Sequence, residues 1–277
     1  MRLRGLSSWG YHLILFLIAM IVCLFLVLPL VIVVITSLNA AAYSVFPPTG
    51  LSLRWYENLL SQPQFLHAFG NSVFSSVCAT LLALVAGTLA ALAIQRFEFP
   101  GRSLLRAIFM SPMVVPKIAL GIAYLILFSK LQIAGGLLAL ILGEAVTILP
   151  FVLSIIGSTL ANVRREHEEA ASDLGAGPLR VFFTVTLPQI RLGLLMSGAI
   201  AFIFTFDQVE TALLILRPEN NTLPIELFLY MEKWQDPTIA VVSTVMLLIA
   251  LVLFFGLKLI LRSVPEVQRV LGPKENE

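Results

Sequence analysis

Charge is scarce in this chain. Asp, Glu, Lys and Arg make up 12% of its 277 residues, about half the share in an average soluble domain. Cysteine is nearly absent: Cys23 and Cys78 both lie inside apolar runs, which argues against a disulfide framework or a thiolate metal cluster. The three histidines, His12, His67 and His167, stand in unrelated segments without ligand spacing, so no metal site is expected. No Gly-rich stretch ends in Lys-Ser or Lys-Thr, so nothing here would cradle nucleotide phosphates. Basic runs with interleaved aromatics are also missing, and nucleic acid is not an expected partner. Asn220-Asn221-Thr222 fits a glycosylation sequon and is read as a chance match.

What is abundant is apolar sequence, at 58%. A helix that crosses a bilayer needs about 20 mostly apolar residues, and the run from Leu13 to Ile35 carries no charge. Arg2 and Arg4 ahead of it mimic a secretion signal, but the apolar core of a signal is only about 7–15 residues long, so a retained anchor is expected. Further spans are expected at 68–95, 104–128, 134–160, 191–216 and 238–261. The fold class is therefore all-α integral membrane with six transmembrane helices, and membrane lipid is the surrounding partner.

Lys and Arg placement sets the expected orientation. One side collects Arg2, Arg4, Arg96, Arg102, Arg106, Arg164, Arg165, Arg180 and Arg191, with Lys258, Arg262, Arg269 and Lys274 near the C-terminus. The other has only Arg54, Lys130, Arg217 and Lys233. Both termini and the 161–190 loop are expected in the cytoplasm, and the inner (plasma) membrane is the expected location. Residues 1–67 read as an N-terminal span with an external connector, 68–260 as the core, and 261–277 as a cytoplasmic tail.

The connector 38–67 holds Pro47-Pro48-Thr49-Gly50 and an amphipathic stretch around Trp55 and Tyr56, suited to an interface. In the second span, Ser75, Ala79, Ala83, Gly87 and Ala91 recur every four residues, a stripe that lets helix backbones approach closely in lipid. Ser111-Pro112 and Pro116-Lys117 interrupt the third span. Proline removes a backbone donor, and two readings stay open there: a packing kink, or the wall of a cavity.

The 161–190 loop carries the most specific signal. A polar, helix-compatible run from Asn162 to Asp173 leads into the corner Gly175-Ala176-Gly177-Pro178, and a second short helix is expected from Leu179 to Thr184. Gly175 permits a positive φ, and Ala170 and Ala171 offer little bulk to an approaching surface. Pro188 then sets the entry of the fifth span.

The spacing Glu169-Ala170-Ala171, Gly175, then Val185-Thr186-Leu187-Pro188 resembles the EAA loop of the membrane subunits of binding-protein-dependent ABC importers, with Val185 where that family often has Ile. The likeness spans about 68–260. Met110-Ser111-Pro112, Phe206-Asp207 and Leu223-Pro224 make the chain look closest to spermidine/putrescine permeases. The resemblance implies the type I ABC importer permease (MetI-like) fold, a second permease subunit, a cytosolic ATPase dimer and an external substrate-binding protein. It also implies that ATP and Mg are bound by the partner ATPase and no cofactor by this chain. Glu169, Ala170, Ala171, Gly175 and Ala176 would contact the ATPase.

Ionisable groups at membrane depth are costly and mark functional pathways. Lys117, Glu144, Asp207 and Glu210 fall there; by the 1.5 Å helical rise Lys117 and Asp207 lie at similar heights and Glu144 near the same level. Together they carry one positive and three negative charges, which would attract an amine-bearing solute; Lys117 would also suit a zwitterion. A competing reading pairs Lys117 with Asp207 or Glu144 and leaves the substrate out. Phe202, Phe204 and Phe206 read as packing rather than an aromatic box. The expected function is a permease subunit of an ATP-driven importer, not an enzyme and without catalytic residues. The alternative is an ion-coupled secondary transporter relaying through the buried carboxylates.

Overall fold

The computed structural model describes residues 8–262, so Arg2, Arg4 and all of the expected tail except its first two residues lie outside the described residues. Helices come in the order α1 (Ser8–Ser37), α2 (Arg54–Leu60), α3 (Pro63–Arg96), α4 (Arg102–Met110), α5 (Lys117–Lys130) and α6 (Leu137–Ala161). They continue with α7 (Arg165–Asp173), α8 (Pro178–Val181), α9 (Leu187–Phe206), α10 (Glu210–Ile215), α11 (Leu223–Lys233) and α12 (Thr238–Arg262).

Among the described residues, four helical runs are long and apolar enough to cross a membrane: α1, α3, α6 and the path Pro178–Phe206. Helices α4 and α5 supply a fifth only as a pair bent by 106° at the break between Met113 and Lys117. The apolar helix α12 matches the sixth expected segment. Two expected spans therefore differ from continuous helices. The 104–128 segment is broken because Pro112 and Pro116 each remove a helical donor. The 191–216 segment ends at Phe206, and the polar step Asp207-Gln208 separates it from α10.

The chain divides into two compact units, one of residues 1–63 with 229–277 and one of residues 64–228. The last span, grouped with the core by sequence, belongs to the unit that contains α1. In that unit the α1 side chains from Leu13 to Val31 lie largely exposed, the surface a membrane-spanning helix offers to lipid or to another apolar helix. The connector folds around Asn39, whose Oδ1 accepts the Ala41 and Thr49 amides at 3.0 and 3.3 Å while its Nδ2 donates to Val45 O. Helix α2 is pinned by Trp55 Nε1 donating to Ala41 O, by a 2.8 Å hydroxyl contact between Tyr56 and Ser37, and by Asn58 Nδ2 donating to Thr238 Oγ1.

In the other unit, α3, α6 and α9 form the core. The small-residue stripe does what its spacing predicts: Ser75, Ala79, Ala83, Gly87 and Ala91 are all buried. At Gly87 a Cβ would sit 2.6 Å from Val152 Cγ1 of α6, so only glycine admits this approach. Two turns further along α6, Gly193 of α9 abuts Thr159. Helix α10 packs on α5 where Gly121 faces Thr211 and Leu214. The segment after α10 is stitched down by Asn220 Nδ2 donating to Gly135 O and by the Leu223 amide donating to Ser72 Oγ, both at 2.8 Å.

Candidate functional site

Two places in the 64–228 unit gather polar groups. The first is the loop after α6. Helix α7 runs Arg165–Asp173, and Gly175 turns the chain with φ +86°, a value that costs any other residue strain. The second short helix expected at Leu179–Thr184 is not separate. Pro178–Val181 is α-helical, Phe182–Thr186 widens into a π turn, and α9 follows without a gap. The π turn lies just ahead of Pro188, which lacks the N–H that a regular helix would direct at Thr184 O. Pro188 thus shapes the helix without starting it.

This elbow is fastened from beneath by a residue that the motif does not highlight. Glu168 Oε2 lies 2.9 Å from Arg96 Nε at the end of α3, and Glu168 Oε1 accepts from Arg96 Nη2 at 3.1 Å. The Thr186 hydroxyl donates to the same oxygen at 2.8 Å. Arg165 Nη2 adds a bond to Arg96 O at 2.9 Å. The Arg96 and Glu168 side chains are each only 14% exposed. Glu169, Ala170 and Gly175 are exposed on the elbow and Ala171 is half-buried there, with Glu169 held loosely to Arg165 at 3.9 Å. Leu174 and Leu179 project outward, 89% and 76% exposed, and Phe183 joins them. Ala176 lies between those two leucines in the chain, its amide donating to Ala171 O.

The second place is a cavity of about 130 Å³ at the α4–α5 break. Pro112 and Lys117 come from the break, Glu144 and Phe151 from α6, and Phe204 and Gln208 from the end of α9. The broken span is therefore both a kink and a cavity wall. Lys117 and Glu144 share the cavity as their heights suggested, but Lys117 pairs with neither Asp207 nor Glu144. Its Nζ lies 3.6 Å from Glu210 Oε2, which also accepts from Gln208 Nε2 at 3.2 Å. Glu210 opens α10, one short step after α9, and this brings it back to the start of α5.

Burial separates the four charges. Lys117, Asp207 and Glu210 are exposed in the isolated chain, and Glu144 is 3% exposed. Asp207 is the residue that ends α9, and its neighbour Gln208 takes the cavity wall. The phenylalanines divide too: Phe202 and Phe206 pack together at 5.6 Å, while Phe204 stacks on Phe151 at 5.0 Å beside the cavity. Gln208, Thr147 and Thr205 line the cavity without having been singled out in sequence. Ordinary polar residues in spans give no signal until a cavity collects them. Among the described residues no group of His, Cys, Asp and Glu could hold a metal ion.

Apolar helices that break around a charged cavity suit passage across a membrane, and this architecture is that of a permease. The chain belongs to the family of binding-protein-dependent transport system inner membrane components, whose model matches residues 83–264. It is 33% identical over 230 residues to the putrescine transport system permease protein PotI of Escherichia coli K12, covering 80% of this chain and 82% of that one. It is 26% identical over 238 residues to the spermidine/putrescine transport system permease protein PotC of the same strain, covering 86% and 90%.

Among solved structures it resembles a bacterial ABC transporter that imports the acidic polysaccharide alginate, with TM-score 0.73, 16% identity and coverage of 95% and 99%. It also resembles the MetNI methionine ABC transporter, with TM-score 0.59, 19% identity and coverage of 77% and 99%. The fold is the MetI-like, all-helical fold of ABC importer permeases. This chain is a multi-pass inner-membrane permease subunit of an ABC importer and not an enzyme; ATP is hydrolysed by a separate subunit.

Proposed function

We propose that this chain, paired with a second permease subunit, carries a small amine-bearing solute of the polyamine class inward by alternating access. An external binding protein delivers the solute, and a cytosolic ATPase dimer that binds ATP and Mg closes against the elbow. The single observation that carries the coupling part is the Arg96–Glu168–Thr186 knot beneath an elbow with outward leucines. A push on the outer surface reaches α3 and α9 together through that knot. Glu169, Ala170, Ala171, Gly175 and Ala176 form the contact, and the small side chains let the partner come close.

The distribution of Lys and Arg supports placing the elbow and both termini in the cytoplasm. The substrate class draws on the names of the relatives and on Lys117, Glu144, Asp207 and Glu210, whose sum of two negative charges favours cations. Lys117 and Glu210 form a pair that a charged solute can exchange with, and Asp207 stands next to the cavity wall. A ligand shifts such a transporter only by binding its states unequally, and exposed charges that change partner during opening supply that difference.

The test is uptake of labelled putrescine by proteoliposomes holding both permeases, the ATPase and the binding protein, with spermidine, amino acids and aminophosphonates as competitors. Uptake is expected to require ATP and to be blocked best by polyamines. Uptake driven by an ion gradient alone, or blocked only by non-amines, contradicts the proposal.

A further inference from the structure

Glu144 stands apart from the other ionisable groups of the membrane segments. It is 3% exposed, and neither of its carboxylate oxygens has a hydrogen-bond partner. A buried charge without a counterion is among the costliest features a fold can keep. The groups around it are engaged elsewhere. The Thr147 hydroxyl donates to Gly143 O at 2.8 Å and lies 3.2 Å from the Tyr124 hydroxyl. The Thr205 hydroxyl donates to Ala201 O at 3.0 Å. Gln208 donates to Glu210, and Lys117 is paired with Glu210.

Glu144 is nonetheless one of the residues that line the cavity, with Phe151 and Phe204, whose rings lie 5.0 Å apart. A carboxylate beside aromatic faces is the chemistry that holds an alkylammonium: the charge pairs with the carboxylate, and the ammonium and its first methylenes rest on the rings. The volume, about 130 Å³, is close to the roughly 150 Å³ that holds a benzene. That is room for an aminoalkyl group of about benzene's size.

We propose that Glu144 is the binding group of a primary-ammonium subsite, in which one end of the transported amine occupies this cavity against Phe151 and Phe204. This rests on the reading of the chain as an amine importer, and it assigns which of the four ionisable groups meets the charge.

The test uses the complete complex of both permeases, ATPase and binding protein in proteoliposomes. E144Q is expected to raise the KM for labelled putrescine at least tenfold, and E144D to keep it within threefold of the wild type. A second measurement needs no variant. A hydrophobic carbodiimide is applied to the wild-type complex, and modification of Glu144 is read by mass spectrometry. Putrescine is expected to protect Glu144, and 1,4-butanediol, of the same length without charge, is expected not to.

If the wild type imports putrescine but E144Q keeps its KM, the proposal is wrong. Carbodiimide labelling that responds to pH but not to putrescine overturns it as well, because Glu144 then serves a proton. If E144Q does not assemble, E144D and the protection experiment still decide. Absence of any amine uptake by the wild type removes the substrate reading itself, and it is seen before any variant is made.

Discussion

Glu168 of the elbow and Arg96 at the end of α3 are joined by two short contacts, 2.9 and 3.1 Å, across 72 residues of sequence. Thr186 closes the group from the start of the long helix. The elbow is thus a braced part of the bundle. Because the pair is only 14% exposed, removing one partner leaves the other charge poorly solvated. Loss of Glu168 is expected to cost about 2–3 kcal/mol, somewhat less than the cost at a fully buried pair. E168Q should lower the thermal midpoint of the purified complex and reduce substrate-stimulated ATP hydrolysis. The exchanged pair R96E/E168R should recover part of both.

Gly87 admits the close approach of α3 and α6. An alanine there would bring its Cβ to 2.6 Å from Val152 Cγ1 and 3.1 Å from Val152 Cβ. Overpacking of this kind costs about 1–3 kcal/mol. G87A is expected to destabilise the chain by that amount in denaturant titrations in detergent, and G87A/V152A to regain most of it. An unchanged midpoint in G87A would show that the helices are not held at this distance.

The outer surface of the elbow gives the opposite expectation. Leu174 and Leu179 touch little within the chain, so L174E and L179E should leave the thermal midpoint of the isolated chain within experimental error. Recovery of the ATPase on affinity purification of the complex should fall several-fold. Gly175 behaves differently: nothing surrounds its Cβ position, so G175A costs only the left-handed strain, about 1–2 kcal/mol.

Lys117 and Glu210 are each about half exposed, and such a pair contributes at most about 1 kcal/mol to stability. K117M and E210Q should therefore fold normally. Both should alter putrescine uptake, and the double variant should differ from the sum of the single ones when KM values are placed in a mutant cycle. Additive effects would show that the two side chains act independently in transport.

The parts of this molecule that were legible in sequence are those with local causes. The stripe from Ser75 to Ala91 announces a buried face by its spacing, Pro112 and Pro116 announce a break, and the Glu169 to Pro188 pattern announces the elbow. The parts that were not legible depend on residues far apart in the chain. Nothing near Glu168 indicates that its partner is Arg96, and nothing near Lys117 favours Glu210 over Asp207 or Glu144. That pairing follows from the turn after Phe206, where an apolar composition suited to one long helix conceals a change of direction. Pro188 was legible as an irregularity, but its effect is a π turn within one helix and not the joint between two.

The central claim is that the elbow is the contact surface for the ATPase, and cross-linking from a cysteine at Ala176 tests it most directly. The A176C complex, shown to be complete and active in uptake, should yield an ATP-sensitive cross-link to the ATPase with a short bifunctional reagent, and a cysteine at Leu38 in the connector should yield none. An active complex in which A176C captures no ATPase in any nucleotide state would contradict the account.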